Sequence, residues 1–491
     1  MGVSASAVAR AVGITTSAVN LRGEAVALLP QRVALIGQGA TASTYALTPA
    51  THTSAAAVGT AYGFGSPVHL AALQLLPANG DGLGSVPLTV YPLDDDGSGV
   101  VSTGDITPSG TQVGAGEYVV WMNGIASAPF TIADAELGTD LEARITTAIN
   151  ANLAMPVVAV AGTDVVNFTS KWAGVSANGI VVSVVGPSNG ITFAITQPVG
   201  GLVNPSVQGA LDQIVSVWET MVVNCMELTD STALGRYQTW GDGRWGELVK
   251  KPALVVTGST ESTLATLTAI GNARLADKIN VAEVAPGSAN LPLQIAARAV
   301  ARMAVVANGN PPVDYGGQAL TGISPGLDTD QFSYTERDVA VKAGISTTGL
   351  VDGVVKMADT VTFSHPAGED PPAFRHANDI VKLQNIVFNL DVIFNSAEWD
   401  GAPLIPDGQA TVNPAARSPK AAKTAVNAML DALGKLAIIS DPDTAKAATT
   451  AAIDSGDPKR LNVTVTVQLS GNANVISIDL DFGFFFGALA A

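Results

Sequence analysis

The stretch Gly37-Gln38-Gly39-Ala40-Thr41-Ala42 follows a short apolar run and fits G-x-G-x-x-A spacing. In a dinucleotide loop such glycines let the backbone approach a pyrophosphate at the start of a helix. Here no helical pattern begins at once, Pro49 interrupts, and no acidic residue stands about 20 positions on. Asp94, Asp96, Ser98, Gly99 and Asp105 fall near the ligand spacing of a calcium loop. The last position is Asp where that loop uses a bidentate Glu, and no helical pattern flanks it, so the run reads as an exposed turn. The four histidines, His52, His69, His365 and His376, form no paired metal motif. The segment from His365 to Pro372 is a polar loop with ligand-type side chains and reads as solvated. Neither a G-x-S-x-G elbow nor a phosphate loop is present. Cys225, inside Met221-Val222-Val223-Asn224-Cys225-Met226, reads as a small buried hydrophobe, and a single thiol closes no internal disulfide. Glu336-Arg337-Asp338 fits a structural ion pair or an interface pair equally. The expectation is a protein that is not an enzyme, with no catalytic residue, metal or cofactor.

Composition narrows the partners. The 491 residues are 47% hydrophobic but only 14% charged, where an average domain is about 25% charged. Sparse charge suits a chain that buries surface against copies of itself. The net charge of −17, with no basic cluster denser than Lys250-Lys251, argues against nucleic acid and anionic membrane surfaces. No run approaches the roughly 18 apolar residues of a membrane span, and the N-terminus lacks the apolar core of a signal peptide. The chain is expected to be made and kept in the cytosol or released by lysis.

The elements that would position any site divide into regions. Residues 1–30 read as an N-terminal arm, with Ile14, Val19 and Leu21 in a segment able to extend. Strands are predicted at Arg32–Gly37 and Val86–Tyr91, with a helix over Pro67–Leu76 that has Pro in its first turn. Residues 31–99 would form the first segment of a core domain. From 100 to 200 short β-type runs alternate with Gly, Asn and Pro turns around one helix, Asp140–Leu153, with Leu141, Ile145, Ile149 and Leu153 on one face. That texture predicts an inserted β-rich domain. From 206 to 306 helices and strands alternate: helix 207–219, strand 221–226, strand 253–257, helix 261–275, strand 279–284, helix 291–306. Alternation of this kind predicts parallel strands with crossover helices. Residues 201–460 would be the second core segment, loop-rich from 310 to 420 with helical stretches near 374–394. The fold class is therefore an α/β core domain split by an inserted β-rich domain, with extended N- and C-terminal arms.

Toward the end, Ser418-Pro419 opens a helix with an N-cap serine and a first-turn proline, and Gly434 is expected to close it. Ala422, Val426, Met429, Leu430 and Leu433 form its inner face, leaving Lys420, Lys423, Asn427 and Asp431 outside. Residues 461–491 carry the clearest strand pattern. Leu461, Val463, Val465, Val467 and Leu469 alternate with polar residues, and after a turn at 470–472 Ile476, Ile478, Leu480, Phe482, Phe484 and Phe486 do the same. A one-residue slip would put the phenylalanines in water. A strand this apolar either pairs in its own domain or completes a sheet in a neighbouring copy.

The ordered set of motifs resembles the tail sheath proteins of contractile-tailed phages, particularly the Mu-like group. The block Gly13-Ile14 … Asn20-Leu21-Arg22-Gly23 … Pro30-Gln31-Arg32-Val33-Ala34-Leu35-Ile36-Gly37 looks like that family's arm leading into its first core strand. Gly63-Phe64-Gly65-Ser66-Pro67-Val68-His69-Leu70-Ala71 resembles its helix start. Pro156-Val157 … Trp172-Ala173-Gly174 … Asn178 resembles its insertion, and Glu336-Arg337 … Gly344-Ile345 the element that follows. The resemblance covers nearly the whole chain. It implies a structural subunit that stacks as six-fold rings around a tail tube and contracts to drive the tube through the host envelope. The implied partners are copies of itself, the tail tube protein, and baseplate and tail terminator proteins, with no nucleic acid and no direct membrane insertion. It also implies a place in the virion tail, assembled in the bacterial host cytoplasm, with the inserted domain on the outside. Terminal arms would add strands to neighbouring subunits, through Ile14, Val19 and Leu21 at one end and Ile476, Ile478, Leu480, Phe482 and Phe484 at the other. The tube contact would come from the 419–433 helix through Lys420, Lys423 and Asp431. Two other classes stay open on the residues alone: a surface β-rich binding protein, and a nucleotide-using α/β enzyme.

Overall fold

A strand buried on both faces reads as a near-continuous apolar run, and five runs in this chain come close to that condition. In the computed structural model, which describes residues 26–369 and 372–480, they are Val33–Gln38, Leu88–Leu93, Met221–Asn224, Leu254–Ser259 and Asn280–Val284, each buried along its whole length. They pair in parallel with a sixth strand, Ser346–Val351. The short strand Ala50–His52 and the strand Val354–Asp359 add antiparallel edges, giving eight strands. The 18-residue helix Pro292–Gly309 covers the sheet; of its residues, Ile295, Ala299, Val300 and Met303 are among those fully buried. Ser66 caps the helix Pro67–Leu75 by accepting from the His69 N–H, and Pro67 occupies its first turn.

The chain divides into two compact units, residues 29–385 and a smaller one of 1–28 with 386–491. The helix Ala377–Phe394 leads from the first into the second. Within the larger unit, the strands between Val101 and Val199 form two antiparallel four-stranded sheets that share no strand with the eight-stranded one. Buried residues of all three sheets nevertheless belong to one continuous cluster. A seam of hydrogen bonds closes this region onto the parallel sheet. Thr41 N–H donates to Lys171 O (2.8 Å), the Gln38 amide donates to Ala173 O, and Lys171 Nζ donates to Phe64 O (3.0 Å) and Leu153 O (2.9 Å). Burial pushes the Lys171 ammonium down to about 8.

Several local expectations change. The helix expected at 207–219 is a single turn, Gln208–Leu211. The carbonyls of Ile214, Val215 and Val217, which a helix would have used, accept instead from the guanidinium of buried Arg244. The expected helix 261–275 is shorter, Leu264–Asn272. Leu153, placed on the inner face of the 140–153 helix, lies past its end at Ala151 and is exposed. Gly434 does not end the helix Pro419–Lys435. The stop is at Ala437, with φ +55°, where Ile438 N–H reaches Leu433 O and Ala437 N–H reaches Gly434 O, the two bonds of a Schellman cap. Several elements were not anticipated, among them two in the larger unit. The helix Ser231–Arg244 carries three glycines, and Gly241 lets Ile279 approach where a Cβ would meet it at 2.4 Å. The hairpin Ser346–Val351 and Val354–Asp359 turns at Asp352-Gly353, both with positive φ.

Glu283 lies in the sheet, fully buried, with no hydrogen bond to either carboxylate oxygen. Burial raises its carboxyl far above the usual range, and Asp359 adds to the effect. A carboxyl raised in the fold contributes stability that is complete below the unfolded value of about 4.3 and is lost as pH rises through the folded one. Glu283→Gln should therefore match the parent near pH 4 and exceed it increasingly at higher pH, by up to about 1.4 kcal/mol per pH unit. Parallel thermal melts at pH 4 and pH 8 check this; a melting difference that does not change with pH would contradict it.

Candidate assembly surfaces

The motifs with chemical spacing are occupied by packing. A Cβ at Gly37 would meet Cys225 Sγ at 2.6 Å, and one at Gly39 would meet the Tyr45 ring at 2.3 Å, so these glycines admit neighbouring side chains. No helix starts at them; the strand Ala50–His52 is the next element. The acidic turn is equally self-contained. Asp95 accepts from Gln38, Thr41 and the Ala173 N–H, and Asp96 accepts from the Ser98 N–H. His69 accepts from the Gly65 N–H at 3.0 Å, and burial holds its ring down to about 4. His365 bonds to Phe363 O and Asn272. Burial pushes the Cys225 thiol far up, away from a reactive thiolate. Glu336 caps its helix with Ser333, Arg337 pairs with Asp359 at 3.1 Å, and Asp338 pairs with Lys342 at 2.7 Å. All three have partners within the chain. Among the described residues no group of His, Cys, Asp and Glu could hold a metal, and no helix is long and apolar enough to cross a membrane.

The candidates that remain are surfaces, and they lie in the smaller unit. Ser418 accepts from the Ala421 N–H and starts the helix Pro419–Lys435. Ala422, Val426, Met429, Leu430 and Leu433 are buried, matching the inner face read from the sequence. Lys420, Lys423, Asn427 and Asp431 follow at spacings of three and four, so the helical period sets them in one outer stripe. Lys420 is exposed, while Lys423 and Asp431 are half-buried. Asp431 is already engaged: Lys446 Nζ lies 2.6 Å from it and 2.7 Å from Asp443. The structure brings the three charged residues to one face but ties one of them down.

The terminal strands do not fold back as one hairpin. Leu461–Thr464 pairs with Thr450–Ile453, and Gln468–Leu469 pairs with Ile439–Ser440. After Ser470 no strand forms among the described residues, and Ile476, Ile478 and Leu480 are 74%, 81% and 84% exposed. Phe482 and Phe484 lie outside the described residues, as do Ile14, Val19 and Leu21. The apolar side of Leu461–Leu469 is only half-buried. Beside it a groove of about 560 Å³ is lined by Leu390, Phe394, Trp399, Leu404, Leu461 and Val463. The unit thus holds an open apolar groove next to a two-stranded sheet, and an apolar alternating segment with no strand partner.

No family model matches the chain. A Mu-like prophage tail sheath protein of Haemophilus influenzae is 22% identical over 415 residues, which cover 81% of this chain and 82% of the relative. Among solved structures, the chain is similar to the sheath tail protein of Desulfitobacterium hafniense, with 13% identity, 93% and 100% of the two chains covered, and a TM-score of 0.46. It is likewise similar to the sheath tail protein of Listeria innocua, at 13% identity, 91% and 94% coverage and a TM-score of 0.47. The sheath of an extracellular contractile injection system in its contracted state gives 9% identity, 97% and 98% coverage and a TM-score of 0.49. The resemblance to tail sheath proteins of the Mu-like group is borne out by the sequence relative.

The helix that carries the charged stripe ends on alanine where left-handed backbone favours glycine. Ala437→Gly should stabilise the protein by roughly 0.5–1 kcal/mol. The check is a higher denaturant midpoint at unchanged slope; an unchanged or lower midpoint would contradict the cap.

Proposed function

We propose that this protein is a structural subunit of a contractile tail sheath. Copies of it would polymerise as stacked six-fold rings around a tail tube and contract to drive the tube through a host envelope. The observation that carries the proposal is the exposed apolar segment Val475–Leu480, which has no strand partner among the described residues, together with the open groove beside Leu461–Val463. An apolar alternating segment left in water is an aggregation hazard unless another chain covers it. Strand addition covers it and supplies directional backbone hydrogen bonds. The terminal segment of one copy then fills the groove of another, with Ile476, Ile478, Leu480, Phe482 and Phe484 as the inserted face. Ile14, Val19 and Leu21 would link copies at the other end. Lys420, exposed, and Lys423, half-buried, are the cations offered to the tube; Asp431 serves mainly to hold Lys446. The region 101–199 would lie on the outside of the array. Baseplate and terminator proteins would close its two ends, within a virion tail assembled in host cytoplasm.

The reading fits the likeness to the prophage tail sheath protein of Haemophilus influenzae. It also fits motif sites whose glycines, carboxylates and thiol are taken up by internal contacts.

Removing residues 476–491 should leave a soluble subunit with unchanged circular dichroism that no longer forms polymers. Sedimentation velocity of the truncated and full chains side by side makes the comparison. Polymers of equal size from the truncated chain would refute the role given to the segment.

A further inference from the structure

An edge strand offers its outward N–H and C=O groups to any second strand that can reach them. The strand Val157–Ala161 is the edge of the sheet it forms with Val166–Ala173, Val101–Gly110 and Ile191–Val199. Its inward bonds run through the even-numbered residues: at its two ends, Lys171 N–H donates to Pro156 O (2.9 Å) and Gly162 N–H donates to Val165 O (2.7 Å). The two-residue period therefore turns the backbone of Val157, Ala159 and Ala161 outward. Val158 and Val160 are 48% and 60% exposed on the open face of the sheet. A lysine, a proline or a bulge inside the strand would blunt such an edge; this strand has none of them. From Pro156 to Gly162 there is no charged residue, and Asp164, the nearest along the chain, lies past the turn. The paired strand carries only Lys171, whose ammonium is held by Phe64 O and Leu153 O, and Arg144 of the adjacent helix pairs with Glu136.

What guards this edge is one side chain. Asn150, in the last turn of the helix Glu142–Ala151, accepts from the Ala159 N–H at 3.0 Å and donates to Ala159 O at 2.8 Å. A primary amide carries an acceptor and a donor side by side, so it meets Ala159 as the backbone of a further strand would. Asn150 is itself exposed, and among the described residues no side chain bonds the backbone of Val157 or Ala161. The same arrangement recurs on the other four-stranded sheet of this region. Its edge strand Val182–Val185 is also uncharged, and Gln197 accepts from the Val182 N–H at 2.7 Å and donates to Val182 O at 2.8 Å.

We propose that Asn150 holds shut a strand-addition edge whose occupant, once the amide is removed, is the same edge of a second copy. Antiparallel pairing centred on Ala159 sets Ala159 opposite Ala159, and sets Val158 opposite Val160 on the exposed face, twice by symmetry. No like charges meet in that pairing, and it uses the two Ala159 groups that Asn150 takes. Such a contact is the same patch on both copies, so it closes as a dimer and propagates nothing. On the self-assembly reading, a chain that polymerises through other surfaces is served by keeping it closed.

Cross-linking of the full chain tests this. Val160→Cys supplies one exposed thiol, and Cys225 is buried and does not compete. Across the proposed pair the two Val160 positions are diagonal neighbours, roughly 7–8 Å apart, within reach of a short bis-maleimide. A single thiol gives at most a dimer, and the variant that keeps Asn150 supplies the background from any other contact. Adding Asn150→Ala should raise the cross-linked dimer several-fold, and adding Val158→Lys to that should return it to background. Asn150→Asp keeps an acceptor for the Ala159 N–H, loses the donor and puts a charge on the edge; it should stay at background. Dimer that does not rise with Asn150→Ala, or that rises equally with Asn150→Asp, would overturn the proposal. Hydrogen exchange of the unsubstituted chain gives a reading that needs no variant to fold. The Ala159 amide should exchange at least about tenfold more slowly than that of Ala161, and equal rates would overturn the closure. Neither readout requires tubes, so the sheath reading stands or falls separately.

Discussion

Parallel strands must be covered on both faces, because their crossover connections lay helices across the sheet. That constraint orders the larger unit. It makes Val33–Gln38 and its neighbours mostly apolar, and it demands the long alanine-rich helix Pro292–Gly309 as a cover. It also sends every loop to one of two ends.

The smaller unit is organised by a shortage instead. Its two small sheets have two strands each, and isolated two-stranded pairs are marginal in water. The half-buried alternation from Leu461 to Leu469 and the groove beside it describe a core that lacks a layer. The exposed alternation from Val475 to Leu480 describes a strand that lacks a sheet. In the proposed reading, exchange between copies would resolve both with a single set of backbone hydrogen bonds. It would also give a joint that holds through sliding, because a strand pair resists separation while the chain leading to it bends.

What the sequence made legible follows from how local each signal is. Continuous apolar runs identified the buried strands, and Ser-Pro pairs at 66–67 and 418–419 marked two helix starts. The inner face Ala422–Leu433 followed from its period alone. The helix Ser231–Arg244 escaped because three glycines blur its pattern, although Asp230 as N-cap with Leu234 and Tyr237 one and two turns on was a usable sign. The Asp352-Gly353 turn was a second readable sign of a hairpin. The one-turn outcome at Gln208–Leu211 was beyond local reading, since it depends on Arg244 some thirty residues away claiming the carbonyls. Alternation at 461–480 fixed which side chains share a face but not which strand lies beside them. The charged stripe was visible as a stripe, whereas the engagement of Asp431 needed the position of Lys446.

The central claim is that copies of this chain alone carry enough complementary surface to build a lattice. Negative-stain electron microscopy of the concentrated full-length protein tests it most directly. The account calls for long hollow tubes with a regular axial striation. A uniform field of separate particles the size of one 49.7 kDa chain would contradict it.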